Sequence, residues 1–121
     1  MEGQRKYDLE DRLVKFAILA LEVCDLLPNT KAGQNLEHQL SKSGTVPALL
    51  YGEAQGAESR ADFIHKMKML LKELRESKIN LRIIIEKPLI AHEKVNTTLQ
   101  ECNELIGIFT ASIQTAKSNK V

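Results

Sequence analysis

Along the chain the apolar positions gather into four long runs, each stepping alternately by four and three, the period of helices packed along their length. Leu9, Leu13, Phe16, Ala20, Val23 and Leu27 predict a first helix over about 8–27. Asp8 is its candidate cap, Asp8, Glu10 and Asp11 set negative charge against the positive end of the helix dipole, and Pro28-Asn29 stops it. Leu36, Leu40, Ser43, Pro47, Leu50 and Ala54 predict a second helix over about 32–55. Pro47 removes one hydrogen bond and crowds the preceding turn, at a cost of about 3 kcal/mol in a regular helix. The segment therefore kinks there or divides in two, and the in-phase rows on either side favour the kink. After Gly56-Ala57-Glu58, Ser59 and Asp62 form a variant capping box. It opens a third helix over about 60–86, with Phe63, Met67, Leu70, Leu74, Leu81 and Ile84 inward. Ile83-Ile84-Ile85 could be a strand in isolation, but one short strand has no partner here. Val95, Leu99, Cys102, Ile106, Phe109, Ile113 and Ala116 predict the fourth helix, over about 92–117, with a tail that frays from Lys117.

Four amphipathic helices joined by short loops predict an all-α fold, an antiparallel up-and-down four-helix bundle spanning 1–121 as one domain. Several helices are apolar over more than a bundle needs. Val14, Ile18 and Leu21 form a second row on the first helix, Leu105 and Ile108 lie off the main stripe of the last, and Ile64 and Leu71 off that of the third. A bundle helix needs an apolar face about 100° wide, and a wider one implies a second partner. The plainer alternative is a broad core stripe with some exposed leucine. Self-association makes Val14, Ile18 and Leu21 the candidate oligomer interface.

Composition narrows the class. The chain has 121 residues, 43% hydrophobic and 27% charged, with a formal balance of +1. That excludes a disordered tail and counts against a strongly basic nucleic-acid binder. No run of about 18 apolar residues suggests a membrane span, and the first residues lack the hydrophobic region of a secretory signal. Cys24 and Cys102 form neither a metal spacing nor a disulfide framework, so a cytoplasmic setting with reduced thiols is expected. Asp62-Phe63-Ile64-His65 has the carboxylate-x-x-His spacing that bundles holding two metals use twice. The second copy is missing: Asn35 stands three residues before His38, and Leu89 three before His92. With no phosphate-binding glycine loop either, the sequence implies no catalytic residue, cofactor, metal or small-molecule substrate.

Charge is distributed unevenly. From His65 to Lys87 there are seven bases against three acids, whereas residues 1–30 hold four bases and six acids. Lys68, Lys72, Arg75 and Arg82 step along one face of the third helix. This stripe is a candidate contact for nucleic acid or for a neighbouring subunit, or else a solvated face with Lys72-Glu76 as an i,i+4 pair.

Glu53-Ala54-Gln55, Ala57, Ser59, Ala61-Asp62-Phe63-Ile64-His65-Lys66-Met67, Leu71-Lys72-Glu73 and Glu76 resemble the bacterial 23S rRNA intervening-sequence protein family, also called S23 or "four helix bundle protein", in its Bacteroidetes form. Glu101-Cys102-Asn103-Glu104-Leu105, Ile108-Phe109 and Thr115 resemble that family's last helix, and the similarity extends over about residues 9–117. Leu50 stands where the family often has asparagine, and Pro47 also departs from it. The resemblance implies an up-and-down bundle assembled as a ring-like homopentamer, without established enzymatic activity. The family's original members are encoded in inserts of 23S rRNA genes. A related accessory protein of diversity-generating retroelements binds a reverse transcriptase and nucleic acid, but such members are strongly basic. The resulting expectation is a noncatalytic oligomeric adaptor or scaffold, the alternative being an RNA- or nucleoprotein-binding pentamer that uses the basic face of the third helix.

Overall fold

The computed structural model describes the backbone of residues 2–118 and the side chains of residues 9–118. It contains four helices, α1 (Glu2–Leu26), α2 (Lys31–Gln55), α3 (Arg60–Glu86) and α4 (Glu93–Ser118), and no strand among the described residues. Cross-helix pairs fix the directions. Ala20 and Cys24 of α1 meet Gly44 and Glu37 of α2, Lys66 and Asn80 of α3 reach Glu53 and Ser43 of α2, and Arg12 and Glu22 of α1 pair with Glu101 and Lys94 of α4. As residue numbers rise along one helix of these pairs they fall along the other, so neighbours are antiparallel. Each helix packs on two others, α1 on α2 and α4, α3 on α2 and α4, which places α1 and α3 at diagonal corners. This is the antiparallel four-helix bundle.

The helix ends are set by local chemistry. α1 begins at Glu2 rather than at Asp8, because nothing between them breaks a helix. Asp8 therefore lies inside the helix, and its capping side chain lies outside the described residues. Thr30 caps α2 by accepting from the Gly33 amide at 3.1 Å, a signal the hydrophobic pattern did not contain. α3 starts as the capping box predicts: Ser59 Oγ accepts from the Asp62 amide at 3.0 Å, and Asp62 Oδ2 accepts from the Glu58 amide at 3.3 Å. His92 Nδ1 accepts from the Lys94 amide at 3.0 Å where α4 begins. Lys117 and Ser118 are helical, and the rest of the tail predicted to fray lies outside the described residues.

α2 runs unbroken through Pro47, so it does not divide into two shorter helices. The proline ring is buried with Leu36, Leu40, Leu50 and Ala54, and that burial offsets the lost hydrogen bond. Leu50 is likewise a core residue. Gly44 has a separate reason: a Cβ there would lie 2.5 Å from the Ala20 Cβ, so α1 and α2 approach more closely than two side chains allow.

The core takes Leu13, Phe16, Ala20 and Val23 from α1 and Met67, Leu70, Leu74, Leu81 and Ile84 from α3, as predicted. Tyr51 meets Phe109 edge to face across it, with centroids 5.8 Å apart. α4 buries Val95, Cys102, Phe109 and Ile113 as predicted but differs in phase. Thr98 and Leu105 are fully buried, while Leu99 and Ile106 are half-buried, so the helix is rotated toward its other apolar column. Leu105 is thus core and not part of a spare row. Between Leu74 and Leu81, Ser77 and Asn80 fill the core side of α3. Both donate to Ser43 Oγ of α2, at 2.9 and 3.2 Å, and so satisfy one another in the interior.

Candidate interaction surface

A helix turns by about 100° per residue, so Lys68, Lys72, Arg75 and Ile79 share the side of α3 opposite Leu70, Leu74 and Ser77. With the latter three locked in the core, the former are held outward. They line a groove of about 690 Å³ together with Leu71 and, from α2, Gln39. Asn80, buried and tied to Ser43, also borders it and gives it a polar edge. Lys68, Lys72 and Arg75 form no ion pair among the described residues; in particular the predicted Lys72-Glu76 pair is absent, although both border the groove. Arg82 lies in the adjoining groove of about 460 Å³ with Ile83 and Lys87, and its Nε donates to Glu86 at 2.9 Å. Three of the four stripe bases thus converge, and Ile79 borders both grooves.

Ile79 and Ile83, 50% and 45% exposed, give this face an apolar centre that charge counting passed over. The signal for it was their i,i+4 spacing, in phase with Lys72 and Arg75.

On the diagonal corner, Val14, Ile18 and Leu21 are 44%, 49% and 43% exposed and form one continuous row on α1. Its last turn meets α2 at a groove of about 550 Å³ lined by Leu21, Cys24, Asp25, Glu37 and His38. Burial, and after it the charges of Glu37 and Asp25, push the Cys24 thiol up to about 11. The acids therefore gather around the end of the apolar row. Ile64, Leu71 and Ile108, the other spare positions, are half-buried.

The remaining chemistry is structural. Asp62 caps α3 and pairs with Lys66 at 3.8 Å, while His65 points to solvent. Among the described residues no three His, Cys, Asp or Glu side chains gather as a metal site would require. Cys102 Sγ contacts the Leu74 carbonyl at 3.2 Å, and burial pushes its thiol up to about 12, away from nucleophilic reactivity. Arg12 makes a forked contact to Glu101, 3.0 and 2.8 Å, and reaches Glu104 at 3.0 Å, clasping α1 to α4. The hydrogen bond to Glu101 is the main reason the guanidinium holds its proton more firmly than usual. Among the described residues no helix is long and apolar enough to cross a membrane.

The chain is similar to a solved structure from Bacteroides thetaiotaomicron, a protein of unknown function from the S23 ribosomal protein family. The two are 28% identical, the match covers 87% of this chain and 97% of that one, and the TM-score is 0.80. No family model and no curated protein matches the chain. The structural likeness bears out the family resemblance read from residues 53–76 and 101–115.

Proposed function

We propose that this chain, an S23-type four-helix bundle, is a noncatalytic protein that works as an oligomer, an adaptor or scaffold built from copies of itself. One observation carries the reading: the α1 row of Val14, Ile18 and Leu21 stays in solvent although the bundle core is complete without it. Three large aliphatic side chains aligned on one helix face are an unpartnered stripe, and covering them stabilises a complex by about 25 cal/mol per Å² of apolar surface removed from water. The family resemblance supports five copies in a ring. Two buried, unpaired thiols fit a cytoplasmic setting. Light scattering across a dilution series tests the reading. The expected result is a mass several times 13.6 kDa at micromolar concentration, and a stable monomer there overturns it.

A second reading, RNA or nucleoprotein binding, is favoured by the three unpaired bases on the α3 groove. Each phosphate neutralised releases counterions, so such binding weakens steeply with salt. No aromatic side chain borders that groove to stack a base, and this ranks the reading second.

A further inference from the structure

We infer that copies of this chain meet through two different faces, the outer face of α1 on one against the outer face of α3 on the next. The inference rests on the self-association proposed above and names its surfaces. Each face has an apolar centre, Val14, Ile18 and Leu21 on α1 and Ile79 and Ile83 on α3. Their surroundings have opposite sign. Glu10 and Asp11 precede the α1 row, and Asp25 follows it, with Glu37 of α2 beside it. Lys68, Lys72 and Arg75 precede the α3 pair and Arg82 and Lys87 flank its other end, so that five bases outweigh the two acids, Glu76 and Glu86, on the same grooves. Asp11 is already paired with Lys15, and Arg82 with Glu86. Glu10, Asp25 and Glu37 on one face, and Lys68, Lys72 and Arg75 on the other, have no ion-pair partner among the described residues.

The spacings agree as well. Ile79 lies seven residues after Lys72, and Ile18 lies seven after Asp11 and seven before Asp25. Setting Ile18 on Ile79 therefore brings a carboxylate level with Lys72, about 10 Å along the helix, whichever way the two helices run. Pairing like faces would instead set acids on acids or bases on bases, which disfavours a symmetric dimer. Because α1 and α3 stand at diagonal corners, a copy docked on one leaves the other free. The contact repeats from copy to copy, closing into a ring if the rotation allows.

Mass measurements on the full chain and two variants test this. Ile18→Glu spoils the α1 face alone, and Lys72→Glu with Arg75→Glu spoils the α3 face alone. All three positions are exposed, and circular dichroism should show unchanged helicity. Each variant by itself should run at the mass of one chain. Mixed in equal amounts, the intact α3 face of the first meets the intact α1 face of the second, so the mass doubles and stops there. Adding Asp11→Lys and Asp25→Lys to the α3 variant should restore the oligomer. A wild-type oligomer whose mass is unmoved by the α3 substitutions, or variants that form no mixed dimer, overturns the contact and leaves self-association standing. A monomeric wild type overturns both. Salt-sensitive binding of structured RNA by the wild type, lost in the α3 variant with the oligomer intact, assigns the bases to RNA and overturns the contact.

Discussion

α1 and α4 carry apolar faces of similar width, yet the bundle treats them oppositely. On α4 the second column turns inward: Leu105 is fully buried and Ile108 half-buried. On α1 the second column, Val14, Ile18 and Leu21, stays in solvent. The difference lies in what the opposite columns hold. α1 fills its core side with Leu13, Phe16, Ala20 and Val23 and is anchored there by the close approach of Ala20 to Gly44. α4, whose core side holds Val95, Cys102, Phe109 and Ile113, also places Thr98 and Leu105 inside. Width alone does not imply a second partner; a wide face together with a filled core does.

Substitutions can break this contrast, and the largest effect belongs to the buried column. Leu105→Ala should destabilise the fold by about 2–5 kcal/mol in chemical denaturation, because a large side chain leaves a filled core. The thiols give a second comparison of the same helices. Both pKa values lie above the ordinary 9.0, at about 11 for Cys24 and about 12 for Cys102. The neutral thiol's contribution is whole below about pH 9 and is lost as pH rises through the folded values. Stability should therefore fall from pH 9 upward, and Cys24→Ala should roughly halve the slope between about pH 9 and 11 while leaving the Cys102 part of the fall in place. Gly44→Ala should cost about 1–3 kcal/mol, since Ala20 cannot yield without moving α1. Arg12→Ala loosens only the partly exposed clasp between α1 and α4 and should cost about 0–1 kcal/mol, less at high salt. Ile18→Ala, the counterpart of Leu105→Ala on the exposed column, should change fold stability by no more than about 0.5 kcal/mol while weakening assembly.

Much of this was legible in the sequence, for reasons that also explain the misreadings. Helix number, direction and the α3 boundaries followed from the four-three spacing and from the breakers at Pro28, Gly56 and Lys87-Pro88. The phase of α4 did not follow, because Leu105 and Ile106 are adjacent apolar columns and only the neighbouring helices choose between them. Glu2 to Asp8 contains no stop signal, so the apolar pattern began too late. Ser77 and Asn80 are polar and stood outside the apolar row of the third helix. Their meaning depended on Ser43 of α2, more than thirty residues away. The basic stripe was legible as a helix face, and its isoleucine centre was legible in the same spacing though charge counting passed over it; only the absence of a Lys72-Glu76 ion pair needed side-chain positions.

The central claim, that the exposed α1 row is covered in the working protein, is tested most directly by hydroxyl-radical footprinting of Val14, Ile18 and Leu21 against concentration. These side chains should be protected at micromolar concentration and labelled on dilution, with Leu13 and Phe16 protected throughout. Equal labelling of the α1 row at every concentration would contradict the account.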